Sequence, residues 1–332
     1  MSGIAAPVQR EALRRVLRLR SLNSGPYLME HKAERHDPVM VDEILDTFQL
    51  RPGAVVVDGT LGLGGHSQRF LEKIAPEGML IGFDWDASMM AIAKDRLVTL
   101  GHTELALVNK DFREMEQVME ELNVKADAIL LDLGLNSAQL DDPHRGLSFL
   151  KEGPLDMRMD RTRGEPAAAI LNRMSPLAIE TVLKEYGDER WARAIARVIV
   201  ERRKSAPLRT TTDLANCVLA AIPKPAQDKR IHPATRTFQA VRIYVNRELE
   251  GLDEALLGAA RSLAPGGVLA VLSYHSGEDR VVKHTFRDLA EEGYQDLFKK
   301  PISPTESEER RNPRSRSAKL RAITRPRTGE IA

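Results

Sequence analysis

Four aspartates each close a short apolar run: Asp58 after Val55-Val56-Val57, Asp84 after Ile81-Gly82-Phe83, Asp111 after Leu107-Val108-Asn109-Lys110, and Asp132 after Ile129-Leu130-Leu131. Carboxylates so placed can accept hydrogen bonds from a diol, an amine or an ammonium group. Between the first and second stands Gly59-Thr60-Leu61-Gly62-Leu63-Gly64-Gly65-His66, a glycine-rich turn that lets backbone approach a bound molecule at the start of a helix. Counting from Gly62, the third glycine of a dinucleotide fingerprint is replaced by Ser67, and the Gly-Lys-Ser/Thr of a phosphate loop is missing. Asp58 beside the turn repels a pyrophosphate but attracts an ammonium or sulfonium head. Asp84, about twenty residues past the turn, is where a ribose-diol acceptor belongs. Asp111 and Phe112 add an acceptor for an adenine amino group and an aromatic face to stack it. The set fits S-adenosylmethionine better than NAD or ATP; the plainer alternative is that the aspartates only cap the helices that follow them.

The elements that must position these residues are legible as well. Unbroken apolar runs read as strands buried on both faces of a parallel sheet, whose ligands sit outside the carboxyl ends. A helix carrying Val39, Met40, Ile44, Leu45 and Phe48 on one face precedes the first strand, and strands and helices then alternate to Asp132. Beyond it only helices are read: Ala167 to Arg173, Pro176 to Tyr186, Glu189 to Lys204 and Thr211 to Ala221, the last capped at Thr210. A long helix from about Thr235 to Leu263 follows, and Pro265-Gly266-Gly267 introduces a further strand, Val268 to Ser273. The expected fold is α/β, with a mainly parallel sheet and an inserted all-helical domain. Its parts are a basic N-terminal arm at 1–35, a core at 36–140 and 232–300, the insertion at 141–231, and a basic tail at 301–332.

Composition narrows the function class. The 332 residues carry 49 Lys and Arg against 48 Asp and Glu, so affinity for nucleic acid has to come from local patches. One is the acid-free stretch Arg310 to Arg321, with Arg314 and Arg316 near its centre, read as a phosphate-binding segment. Another is Arg190, Arg193, Arg197 and Arg202, where Glu189 and Glu201 can neutralise the charge. Cys217 is the only cysteine, which excludes a disulfide framework, a cysteine-rich zinc site and an iron–sulfur cluster. No run reaches the eighteen or so apolar residues of a membrane span, and a cytoplasmic enzyme is expected. The arm, with Arg10, Arg14, Arg15, Arg18 and Arg20, reads as a mobile basic segment or as an organellar transit peptide.

Several stretches are too particular for generic packing. Asp141-Asp142-Pro143-His144-Arg145-Gly146, Gly153-Pro154-Leu155-Asp156-Met157-Arg158-Met159-Asp160, His232 to Ala240, Arg242 to Asn246, and Ser273-Tyr274-His275-Ser276-Gly277-Glu278-Asp279-Arg280 together resemble the bacterial 16S rRNA cytosine-N4 methyltransferases, from about His36 to Leu320. The resemblance implies a class I Rossmann-like methyltransferase core with an inserted helical domain. It also implies S-adenosylmethionine contacts at Gly64, Gly65, His66, Asp84, Phe112, Asp132 and Gln139, and a substrate cytosine in the decoding region of 16S rRNA within the small ribosomal subunit. Arg145, Arg158, Arg236 and Asn246 fall in the family's motifs as candidate RNA contacts, and His275 on the active rim is a candidate for catalysis. Competing readings are a non-catalytic RNA-binding assembly factor that keeps the fold, and an organellar version of the same enzyme. Oligomeric state is left open, a homodimer included.

The target atom can be tested against the residues. Methylation at carbon 5 of cytosine needs a cysteine nucleophile, and Cys217, among Leu214, Val218 and Leu219, reads as a buried packing residue. The exocyclic amine needs only orientation by acceptors. Asp132-Leu133-Gly134-Leu135-Asn136-Ser137 stands where DNA amino-methyltransferases carry Asp/Asn-Pro-Pro-Tyr/Phe, and Asp132 and Asn136 are the candidates to hold the amine. Asn136, where the resembled family usually has serine, and Gly277, where it has leucine, are departures. His66, His232 and His275 lack metal-ligand spacing, and no metal is expected.

Overall fold

The computed structural model describes residues 38–98, 104–135, 140, 142–227 and 231–327. The expected basic arm, and Asn136, Gln139 and Asp141, lie outside them. The chain divides into two compact units, one formed by the residues up to Gly134 together with those from Gly251 onward, the other by Leu135–Glu250.

The first unit opens with helix α1 (Val41–Phe48), which buries Ile44 and Phe48, and continues through β1 (Val55–Asp58), α2 (Gly65–Ile74), β2 (Met79–Phe83), α3 (Ala87–Val98), β3 (Glu104–Val108), α4 (Met115–Leu122) and β4 (Ala126–Asp132). The four apolar runs are therefore strands, and their side chains alternate between two covered faces. Val56, Leu80, Ala128 and Leu130 are buried with Phe70, Ile74 and Leu97 of the flanking helices. Each such branched aliphatic or aromatic side chain contributes about 1.5–3 kcal/mol of transfer free energy. Strand β1 pairs in parallel with β2 on one side and β4 on the other, Asp58 lying opposite Gly82 and Leu130. Asp132, one pleat further along β4, lies opposite Leu272 of the next strand.

The second unit holds α5 (Ala167–Arg173), α6 (Pro176–Gly187), α7 (Ala192–Ser205), α8 (Thr211–Ala221) and α9 (Thr235–Asn246). Its core joins Leu171, Ile179, Leu183, Ile195, Ile199, Leu214 and Val218 to Phe238 and Val241 of α9. The Thr210–Asp213 capping box that opens α8 is formed. This unit runs from 135 to 250 rather than over the expected 141–231, because α9 belongs to its core.

The single helix read over Thr235–Leu263 is two. Its periodicity is real on both halves, but Arg247 takes a left-handed conformation (φ 50°) and Gly251 another (φ 66°). The chain restarts in the first unit as α10 (Leu252–Arg261) and β5 (Leu263–Ser273).

The basic tail is a larger correction. Beyond α11 (Ser276–Glu291) and the two-residue strand β6 (Gln295–Asp296) come α12 (Glu306–Arg311), a 3-10 turn (Pro313–Ser317) and β7 (Lys319–Thr324). Strand β7 lies between β5 and β6, antiparallel to both, and buries Leu320, Ala322 and Ile323. The described strands thus form one seven-stranded sheet in the order β3-β2-β1-β4-β5-β7-β6. Lys319 and Arg321 had masked β7 because they share a face with Ile323, and Arg321 breaks the apolar run between Leu320 and Ala322.

Candidate functional site: the carboxyl rim of β1, β2 and β4

The glycine turn leaves β1 and reaches α2 through two left-handed glycines, Gly62 (φ 52°) and Gly64 (φ 75°). Gly64 is the N-cap of α2 and carries no capping side chain. The first backbone acceptor inside the helix is Gly64 O, taken by Gln68 N–H, so the amides of Gly65, His66 and Ser67 precede the helical ladder and can serve an incoming acceptor.

Asp58 is 1% exposed and braces this turn from below. Its Oδ2 accepts from Ser67 Oγ at 2.6 Å and its Oδ1 from Thr60 N–H at 3.2 Å. Burial raises its pKa above the usual carboxylate value, against the hydrogen bonds that lower it. Ser67, which broke the dinucleotide fingerprint, is thus the partner that holds Asp58 to the turn. A charge so enclosed acts through the turn's geometry rather than by touching a cationic ligand.

Asp84, at the end of β2, is half-buried. Its Oδ2 accepts from Gly62 N–H at 2.8 Å and its Oδ1 from Asp86 N–H at 2.8 Å. Each carboxylate oxygen keeps a second lone pair, a pair of acceptors suited to a vicinal diol. Burial pushes its pKa up to about 6, the two amide hydrogen bonds opposing the rise. Asn109 fixes the neighbouring turn by donating to the carbonyls of Asp84 (2.8 Å) and Trp85 (3.1 Å).

Asp111 is a cap. It receives Arg113 N–H at 3.0 Å at the start of a 3-10 turn, and its carboxylate pairs with the Arg113 guanidinium at 2.9 Å. The guanidinium carbon sits 5.1 Å from the centre of the Phe112 ring, so one face of Phe112 is covered by a cation. For Asp111 the plainer alternative holds.

Asp132 is the centre of the rim. Its N–H donates to Thr60 Oγ1 at 2.7 Å, which ties the end of β4 to the glycine turn. Its carboxylate receives Gly134 N–H at 3.3 Å, lies 3.8 Å from His66 Nδ1, and bears electrostatically on the Tyr274 phenol. Burial, and then the Asp132 charge, push the Tyr274 phenol well above its ordinary value, so it stays a donor. Gly134 makes this possible: a Cβ there would lie 2.5 Å from the Tyr274 ring. His66 Nε2 is 2.9 Å from the carbonyl of Val39. The carbonyl can only accept, so Nε2 carries a hydrogen, and in the neutral ring Nδ1 turns a lone pair toward Asp132.

His275 is a cap rather than a free base. Its Nδ1 accepts Glu278 N–H at 3.2 Å and Glu278 Oε2 accepts the His275 N–H at 3.3 Å, a capping box that starts α11, and the same oxygen accepts Tyr274 N–H at 2.7 Å. Its Nε2 lies 3.1 Å from Glu278 Oε1 without the alignment of a hydrogen bond. It positions the chain directly after Tyr274.

In the helical unit, Arg158 is held by Asp156 through Nε (2.7 Å) and Nη2 (2.9 Å), with Nη1 on the carbonyl of Arg161 at 2.9 Å. Arg145 Nη1 reaches the Met159 carbonyl at 3.0 Å. Asn246 accepts Met159 N–H at 2.8 Å and donates to the carbonyls of Met157 (2.8 Å) and Arg242 (2.9 Å). Met157 is fully buried with φ 63°. These three candidates build a loop clamp. Arg236 is exposed, with Nη1 on the Asp188 carbonyl at 3.1 Å, and Arg314 and Arg316 are exposed in the first unit. Tyr274 and Thr60 were missed as site residues; the strand-end placement of Tyr274 beside Asp132 was the available signal.

A sheet of this strand order, with β7 alone antiparallel to its neighbours and a glycine turn at the carboxyl rim leading into α2, defines a class I methyltransferase. The chain belongs to the MraW methylase family, whose model matches residues 33–326. It is 42% identical over 314 residues to "Ribosomal RNA small subunit methyltransferase H" of Syntrophus aciditrophicus, covering 89% of this chain and 99% of that one. It is 45% identical over 304 residues to the protein of the same name from Heliobacterium mobile, covering 86% and 97%. Among solved structures it is similar to an rRNA methylase from Streptococcus thermophilus, with a TM-score of 0.37 and 10% identity over 86% of this chain and 92% of that one.

Proposed function

We propose that this protein transfers a methyl group from S-adenosylmethionine to the N4 amine of a cytosine in small-subunit ribosomal RNA. The observation that carries this is Asp132, an acceptor on the rim between His66 and Tyr274, in a family whose relatives are named for that substrate. The residues present suit the cofactor: Asp84 keeps two lone pairs for the ribose hydroxyls, Phe112 offers a ring face, and the first amides of α2 are available to a carboxylate. When bound, S-adenosylmethionine supplies an electrophilic methyl group on sulfonium sulfur.

The rest of the work falls to the chain. The lone pair of a cytosine amine is delocalised into the ring, so the nitrogen must be turned before it can attack. Asp132 accepts one N–H and orients the lone pair toward the methyl group that S-adenosylmethionine would supply, and it is the acceptor that would pass the proton shed by nitrogen to water. Alignment of this kind lowers a barrier by about 7–11 kcal/mol. Tyr274 holds the carboxylate in place. Asn136 and Gln139 are proposed as further contacts, to the amine and the donor respectively. Arg236, Arg314 and Arg316 are proposed to meet RNA phosphates, and the enzyme to work in the cytoplasm. Among the described residues no helix is long and apolar enough to cross a membrane.

Covalent attack on the ring has no support. Cys217 is 3% exposed in the core of the helical unit, and burial raises its thiol pKa, the reverse of an activated thiolate. Nucleoside mass spectrometry on rRNA methylated by purified wild-type protein and by Cys217→Ser is the test. N4-methylcytosine from both is expected. 5-Methylcytosine, or no product, overturns the reading.

A further inference from the structure

A cavity of about 250 Å³ opens on the first unit, away from the residues of the rim, between α11, β6 and β7. Lys283, His284 and Arg287 of α11, Lys299 of the loop after β6, and Arg321 of β7 converge on it, with Phe286 as an apolar floor and Asp296 as its single carboxylate. Positions 283 and 287 are one helical turn apart and share a face. Arg321 Nε is fixed by Asp279 Oδ1 at 2.7 Å, and Asp279 Oδ2 also holds Lys319 Nζ at 3.0 Å. Arg287 has an exposed contact with Asp288 at 3.3 Å, of the kind that contributes little. Taken together, Lys283, Arg287, Lys299, Lys319 and Arg321 outnumber Asp279, Asp288 and Asp296 by five to three. Among the described residues Lys283 and Lys299 have no carboxylate partner.

The geometry points to a phosphate-binding groove for the sugar–phosphate backbone of the RNA substrate, with Lys283 and Lys299 as its mobile cations and Arg321 as its fixed one. In a chain of net charge +1, cations drawn from three separate elements into one concavity are a local device for a polyanion. The cavity is too small for a folded partner and lacks base-reading amides, so it positions rather than specifies. Helix α11 begins beside His275 on the rim, and Lys283 lies eight residues on, about 12 Å along the axis. A phosphate held there belongs to a nucleotide removed from the target cytosine along the RNA strand. The role rests on the reading of the protein as an rRNA methyltransferase.

The test is a salt titration of binding to deproteinised small-subunit rRNA by wild type and by the double variant Lys283→Gln/Lys299→Gln, after calorimetry has shown equal S-adenosylmethionine affinity in the two. Loss of two phosphate contacts is expected to lower the magnitude of the log–log salt slope by about 1.4–1.8 and to weaken binding severalfold at moderate salt. A titration that superimposes on wild type overturns the groove, as does a defect seen with assembled subunits but not with naked rRNA, which would place the contact on a protein. If wild type itself methylates no rRNA, the functional reading fails first; if it methylates and the slopes agree, only the groove fails.

Discussion

Glu308 Oε1 accepts the Met40 N–H at 2.6 Å across 268 residues of sequence. The bond closes the last third of the first unit onto the turn before α1, where Met40 is held at φ 54° and the neighbouring Val39 carbonyl receives His66 Nε2. A segment read from sequence as a basic tail therefore supports a residue of the rim.

Replacing Glu308 tests that link. Glu308→Ala leaves the buried Met40 amide without its acceptor and is expected to cost about 1–3 kcal/mol of stability, with weaker S-adenosylmethionine binding as His66 loses its anchor. Glu308→Gln keeps an acceptor and should retain most of both. Burial raises the Glu308 pKa above the ordinary carboxylate value, against the Met40 hydrogen bond. A carboxyl so raised binds its proton more readily in the folded chain, so this contribution to stability weakens as pH climbs through the raised pKa. Urea denaturation against pH should show that component removed in Glu308→Gln.

Asp84 gives a pH dependence of opposite sense for the cofactor. With its pKa pushed to about 6 by burial, the carboxylate that can accept two hydroxyls is depleted below that pH. Cofactor affinity should fall by about tenfold per pH unit there and level off above it. Asp84→Asn should flatten the profile and weaken binding by about 2–4 kcal/mol at neutral pH. Calorimetry from about pH 5 to about pH 8, on both sides of that pKa, is the measurement; a flat wild-type profile rejects the role.

Tyr274→Phe removes the hydroxyl proposed to donate to the Asp132 carboxylate and leaves the ring over Gly134. A hydrogen bond to a charged group contributes about 1.5–3 kcal/mol, so single-turnover methyl transfer should slow by about 10–150-fold while donor affinity stays nearly constant. An unchanged rate would show that Asp132 is held without it.

Asn246 separates a structural from an RNA-binding role. Its three hydrogen bonds clamp the Met157–Met159 loop, and Asn246→Ala should destabilise the protein by about 2–4 kcal/mol. Arg236→Ala, at the surface, should change stability by less than about 0.5 kcal/mol and act on RNA affinity instead. Thermal melts and RNA titrations of the two variants should give opposite patterns.

The sequence by itself determined the strands β1 to β5, the glycine turn and the three aspartates at adjacent strand ends, because burial on both faces leaves an unbroken apolar run and a turn of this kind demands glycine. It also determined that Cys217 is a packing residue. Tertiary structure alone decided which polar groups satisfy one another. Asp58 belongs to Ser67 and Asn246 to a loop almost ninety residues away, pairings that local spacing does not encode, whereas Asp111 with Arg113 and His275 with Glu278 are local caps. It also decided the break between α9 and α10, since both halves share helical periodicity and only packing separates them. Strand β7 stayed hidden for a related reason: Lys319 and Arg321 read as a phosphate-binding stretch until Asp279, on α11, is seen to hold both.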